Sequence, residues 1–198
     1  MVLKRNLAIF FLLSLFFEGE NFGQSYFNKV IKIGKNTEVA FQTIPLVNSG
    51  YFGLCREGTI GKILHIKYDS LGDTIFMKKF DNPGRFYPVI IRSMFKKSAN
   101  RFVNSGTLVD NNSIDAAYIY EFDTMGQKIA FDTFQIGYYI NCRGFTVCRD
   151  GGYILTGSVE KKMNDDYQIF LLKLDSNRQT EWVQYYGNGY DDYAFTVN

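Results

Sequence analysis

The chain has 198 residues, 46% of them apolar and 17% aromatic, with a net charge of +2. That apolar content excludes a chain too polar to build a core, and the dispersed charge lacks the basic stripe of a nucleic-acid binder. Phe (19), Tyr (14) and Gly (18) are abundant and Pro (3) is scarce, a composition suited to short strands joined by tight turns.

The chain opens with Lys4 and Arg5, followed by residues 7–17, apolar except for Ser14, and then by Glu18, Glu20 and Asn21. This run is too short to span a bilayer, which takes roughly 20 apolar residues. It reads as a secretory signal peptide over residues 1–24, with cleavage between Gly19 and Ser25. No cysteine follows the apolar run, which disfavours a lipid-anchored form, and no later stretch is long and apolar enough to span. The expected location is therefore the periplasm or the cell exterior. The mature part, residues 25–198, starts with a lone strand at 26–33.

From there a repeat dominates. Residues 67–80, 121–134 and 173–186 align without a gap. Asp69, Asp123 and Asp175 coincide, at spacings of 54 and 52, as do Phe80, Phe134 and Tyr186. Gly53, Gly106 and Gly157 form a second landmark upstream. The third unit reads as four strands: one near Gly144–Cys148, a turn at Asp150-Gly151-Gly152, a second at 153–159, a third at 167–175 and a fourth at 180–186. The third strand is almost continuously apolar at Ile169, Phe170, Leu171 and Leu172, as a strand covered on both faces should be. Units of about 40–80, 88–135 and 143–187, with the start of a fourth at 193–198, give an all-β, β-propeller-like array of four-stranded antiparallel blades. Residues 26–33 take the place of a fourth strand with no partners before it. Three blades plus fragments do not easily close a ring, so the sequence reads as incomplete, either a truncated product or a chain that assembles with its own copies.

The third unit, with Asp150-Gly-Gly-Tyr-Ile-Leu-Thr-Gly157, Leu172-Lys-Leu-Asp175, Trp182 and Tyr186-Gly187, resembles the propeller repeats of secreted Bacteroidetes proteins. Those proteins often end in a type IX secretion sorting domain. In the first two units Phe76 and Ala130 stand where the tryptophan would be. The resemblance implies a fold and a compartment rather than a reaction.

The candidate chemical residues have mostly structural readings. His65, the single histidine, aligns with Ile119 and Leu171 and is expected between sheets rather than as a base. The repeating aspartates are expected to accept backbone N–H groups of their own turns. Asp165-Asp166 and Asp191-Asp192 form acidic pairs without calcium-loop spacing, and read as solvated loop charges. Cys55 and Cys148 fall at apolar or small repeat positions and are expected to be buried thiols. Cys142 aligns with Asp192, in a loop, and is the cysteine to test for reactivity. Cys142 and Cys148 on an extended segment would lie roughly 20 Å apart, beyond the ~7 Å reach of a disulfide. Trp182, Tyr185, Tyr186 and Tyr190 have the chemistry to stack on sugars, although packing at a sheet edge is the commoner fate of such rings.

No residue is assigned a catalytic, cofactor-binding or metal-binding role. The expected function is that of an exported, non-enzymatic binding or scaffolding module, with carbohydrate or another surface protein as partner. The alternatives are a fragment of a propeller hydrolase or lyase with channel-facing carboxylates, and a truncated product with no function of its own.

Overall fold

The computed structural model describes residues 38–47, 50–57, 61–80, 85–88, 94–109 and 115–197. The expected signal segment, 1–24, and the lone strand at 26–33 lie outside the described residues. All regular structure among the described residues is β. The first sheet runs β1 (Glu38–Pro45), β2 (Tyr51–Glu57), β3 (Lys62–Tyr68) and β4 (Thr74–Lys79), in that spatial order. In the second, β5 (Arg85–Pro88) and β6 (Met94–Ser98) both pair with β7 (Arg101–Val109), followed by β8 (Asp115–Asp123) and β9 (Lys128–Phe134). The third runs β10 (Tyr139–Val147), β11 (Tyr153–Glu160), β12 (Gln168–Leu174) and β13 (Thr180–Tyr186). Each is an antiparallel meander.

Three boundaries differ from the sequence reading. The second unit begins at β5, before residue 88, because its first strand is divided into two segments that share β7. β10 begins at Tyr139 rather than near Gly144, because Ile140 and Cys142 are buried between sheets, and Cys148 falls in the following turn. The segment expected to start a fourth unit carries no strand through residue 197. Strand geometry needs a ladder partner, and no described strand pairs with it.

The repeating aspartates build one turn three times. Asp69 Oδ1 accepts the N–H groups of Leu71 and Asp73 at 2.9 and 2.8 Å. Asp123 does the same for Met125 and Gln127 at 2.8 Å, and Asp175 for Asn177 and Gln179 at 2.8 Å. Each turn needs a positive φ at its fourth residue, supplied by Gly72 (79°), Gly126 (68°) and, in the third unit, Arg178 (68°). A non-glycine residue there is strained by about 1–2 kcal/mol, so something else holds Arg178 in place.

The sheets stack face to face through two cores. Phe52, Leu54, Ile63 and Phe80 of the first pack on Phe86, Phe102, Tyr118, Tyr120 and Phe122 of the second. The opposite face of the second sheet places Val103, Ala117 and Ile119 against Leu155, Val159, Phe170 and Leu172 of the third. The second sheet is thus covered on both sides, which is why β7 and β8 are buried almost without alternation.

This double burial traps polar groups, and the structure pairs them. Ser105 Oγ donates to the Tyr118 carbonyl at 2.8 Å, and its repeat counterpart Thr156 donates to the Phe170 carbonyl at 2.8 Å. Glu121 is buried between the second and third sheets, where Lys97 Nζ lies 2.7 Å from its carboxylate and Arg178 Nη1 3.4 Å. The Tyr153 hydroxyl donates to the same oxygen, while Arg178 Nε reaches Asp132 at 2.5 Å. Burial pushes the Glu121 carboxyl up, but hydrogen bonds from Lys97 and Tyr153 and the positive charges of Lys97 and Arg178 outweigh it and hold the acid below its ordinary range. The strained Arg178 is therefore a tie between two sheets.

Two outcomes are expected. Asp123→Ala removes one oxygen that serves two backbone donors, and should lower stability by about 1–2 kcal/mol in urea unfolding. Glu121→Ala removes the buried carboxylate that Lys97 and Arg178 share, leaving Arg178 with Asp132, and should cost about 3–5 kcal/mol, more than Asp123→Ala in the same measurement.

Candidate binding cleft

In each meander the turns joining first to second and third to fourth strands lie at one end, and the other connections lie at the opposite end. At that second end a cleft of about 410 Å³ opens between the second and third sheets, a volume in the range of small-ligand sites. Thr107 and Val109 reach it from the end of β7 and Asp115 from the start of β8. Tyr139, Asn141 and Arg143 come from β10, Ser158 from β11, and Tyr167 and Tyr193 from the segments beyond.

β10 is seated there by side chains of the second sheet. The Cys142 N–H donates to Thr107 Oγ1 at 2.9 Å, and the Ile140 N–H to Asp115 Oδ2 at 3.5 Å. These N–H groups point away from β11, along the edge with which no described strand pairs. Between Cys142 and Gly144 the register shifts by one residue. The extra residue is Arg143, and a bulge of this kind re-aims the side chain it carries. The Arg143 guanidinium lies 4.8 Å from the Phe195 ring centre and 5.5 Å from that of Tyr193, within cation–π range.

The last described segment covers this side of the third sheet. It passes so close to Gly144 that a Cβ there would sit 2.8 Å from the Thr196 Cα. The Tyr167 N–H donates to Asp191 Oδ1 at 2.9 Å, and the Asp192 N–H donates to the Tyr167 carbonyl at 2.8 Å. The Tyr167 and Tyr193 rings stand 5.7 Å apart. Tyr139, 49% exposed, leaves much of its ring open. Ser158 differs from all of these, because its Oγ is buried without a hydrogen-bond partner. Its repeat counterparts are Leu54, which is apolar, and Thr107, which accepts the Cys142 N–H.

The residues singled out in the sequence lie mostly elsewhere. His65 is fully buried, its ring 4.2 Å from Phe122 and 5.4 Å from Tyr120. Neither nitrogen has a well-formed hydrogen bond. Burial lowers its pKa to about 3, with the nearby Lys78 acting in the same direction and the Gly126 backbone and Asp123 opposing. Cys142 is not a loop residue. It is buried on β10, and burial pushes its thiol up to about 12, against the expectation of reactivity. Cys55 is a buried thiol and Cys148 a partly exposed one, neither in a disulfide. Asp165 caps its own loop by accepting the Lys162 N–H at 3.2 Å. No group of three or more metal-ligating side chains gathers among the described residues.

The aromatic residues divide. Tyr185 is held by a 2.8 Å hydrogen bond to the Ile136 carbonyl, whereas Trp182, Tyr186 and Tyr190 are exposed. None of these four lines the cleft. Asp115, Tyr139, Arg143 and Ser158 carried one faint signal in the sequence, a polar side chain at Ser158 where the first unit has Leu54. No helix among the described residues is long and apolar enough to cross a membrane. No protein-family model and no curated protein matches the chain.

The neutral burial of His65 has a measurable consequence. Its folded pKa lies below the ordinary 6.5, so between about 6.5 and about 3 the unfolded chain binds a proton that the folded chain refuses. Stability from this residue is therefore lost as pH falls through that window. His65→Leu, which installs the residue found at its third-unit counterpart, should flatten the dependence. The check is the difference between wild-type and variant urea midpoints at pH 7 and pH 4, since the titration of other groups is common to both.

Proposed function

We propose that this chain is an exported binding module of β-propeller type whose ligand occupies the cleft between the second and third sheets. The propeller reading rests on the repeat and on the face-to-face stacking of three meanders, two of four strands and one whose first strand is split into β5 and β6. The exported location rests on the N-terminal apolar run and on the resemblance to secreted Bacteroidetes repeats. One observation carries the binding reading: Ser158, whose buried Oγ has no hydrogen-bond partner among the described residues, is one of the residues lining the cleft. An orphaned buried polar group costs about 1–3 kcal/mol, a cost that rotation of the Ser158 side chain toward a hydrogen-bonding ligand in the cleft would relieve.

Among the described residues the cleft lining includes one carboxylate, Asp115. Acid–base hydrolysis of the glycosidase kind uses two, so binding is favoured over the hydrolase alternative. Scaffolding remains compatible with the same fold, because end loops on rigid sheets are free to vary.

Chemical-shift mapping on the full chain tests the reading. A mixed panel of neutral sugars, short peptides and small anions should shift resonances of residues 139–143 and Tyr193. Shifts confined to the exposed edge at Trp182 and Tyr186, or no shifts with any member of the panel, would sink it.

A further inference from the structure

We infer that the ligand of this cleft is a neutral, hydroxyl-rich ring, the chemistry of an uncharged sugar unit; this rests on the reading that the cleft binds a ligand at all. Four properties of the lining narrow the class. First, the walls carry charges of both signs, Asp115 and Arg143, so a net-charged ligand meets repulsion from one of them while a neutral ligand meets none. Second, the lining residues carry a carboxylate, a guanidinium, the Asn141 amide and the hydroxyls of Tyr139, Tyr167 and Tyr193. Such a mixture of donors and acceptors suits a ligand whose every polar group both donates and accepts, as a hydroxyl does.

Third, the half-exposed Tyr139 ring offers an apolar face beside those polar groups, and a pyranose has a C–H face and a hydroxyl rim in the same arrangement. A purely apolar ligand would leave the polar lining desolvated and unpaired. Fourth, an extended peptide would ordinarily add to a free strand edge through backbone hydrogen bonds. The edge of β10 at the cleft is already occupied, since the Ile140 and Cys142 N–H groups donate to Asp115 and Thr107. The backbone donors that strand addition needs are consumed there by side chains of the second sheet.

The test uses the full chain and a set of neutral trisaccharides of different linkage (maltotriose, cellotriose, laminaritriose, mannotriose and chitotriose), with a sulfated disaccharide and an extended octapeptide of neutral sequence as competing classes. Binding is followed by calorimetry and by shifts at residues 139–143. At least one neutral trisaccharide should bind, and Tyr139→Ala and Asn141→Ala, both at exposed positions, should each weaken it about tenfold with unchanged urea midpoints. Ser158→Ala should weaken binding while raising stability, because it removes an orphaned hydroxyl. If the peptide or the sulfated sugar shifts the cleft resonances and no neutral sugar does, the ligand class is wrong and the binding reading stands. If no member of the three classes shifts them, both fail. If a neutral sugar binds but Tyr139→Ala and Asn141→Ala leave its affinity unchanged, it binds elsewhere and the inference is overturned.

Discussion

Burial of the second sheet on both faces is the constraint from which most of this structure follows. β7 and β8 have no solvent face, so they read as runs of buried residues rather than as alternating strands. The third sheet lends one core face to the second, and the first lends one while burying Cys55, Leu64 and Ile66 on its other. The outermost strands, β4, β9 and β13, carry the polar and exposed side chains. Hydrophobic contact alone fixes little about how such sheets align, because apolar surface is not directional. Alignment comes from the polar groups caught between them.

Those groups are treated in three ways. Several are satisfied within their own sheet, as Ser105 and Thr156 are by carbonyls of the next strand. Some are satisfied across the interface: Glu121 through Lys97, Tyr153 and Arg178, and the β10 edge through Thr107 and Asp115. A few are left over. His65 avoids the difficulty by remaining neutral among aromatic rings. Ser158 does not, and it lies where the gap between the second and third sheets widens into a cleft. The end carrying the short aspartate turns is closed by ion pairs, and the end carrying the longer connections holds the cleft.

Much of the fold was legible because the repeat forces each residue type into the same role three times. The aspartate turns were readable from Asp69, Asp123 and Asp175 alone, since few other side chains cap their own turn in this way. The strand reading of the third unit succeeded from Tyr153 to Tyr186, where glycine and aspartate turns punctuate the apolar runs. It failed at β10, because the burial of Ile140 and Cys142 depends on contacts with residues of a neighbouring sheet 25 and 35 positions away in the chain. That failure also misplaced Cys142 in a loop. The cleft was nearly invisible for the same reason. Asp115, Arg143 and Ser158 belong to different strands, and only the stacking of two sheets and a bulge at Arg143 bring them together.

Arg178 carries a further consequence. Units that share a turn, a glycine landmark and an aromatic end are similar enough to be mistaken for one another during folding, and repeat chains are prone to misassembly between neighbours. The position two residues before the repeat aspartate holds Lys67 in the first unit, Glu121 in the second and Lys173 in the third. A third sheet stacked on the second sets Arg178 against a carboxylate, whereas the same sheet stacked on the first would set it against Lys67. The strained arginine thus acts as an address label, written in charge, that tells otherwise interchangeable sheets the order in which to stack.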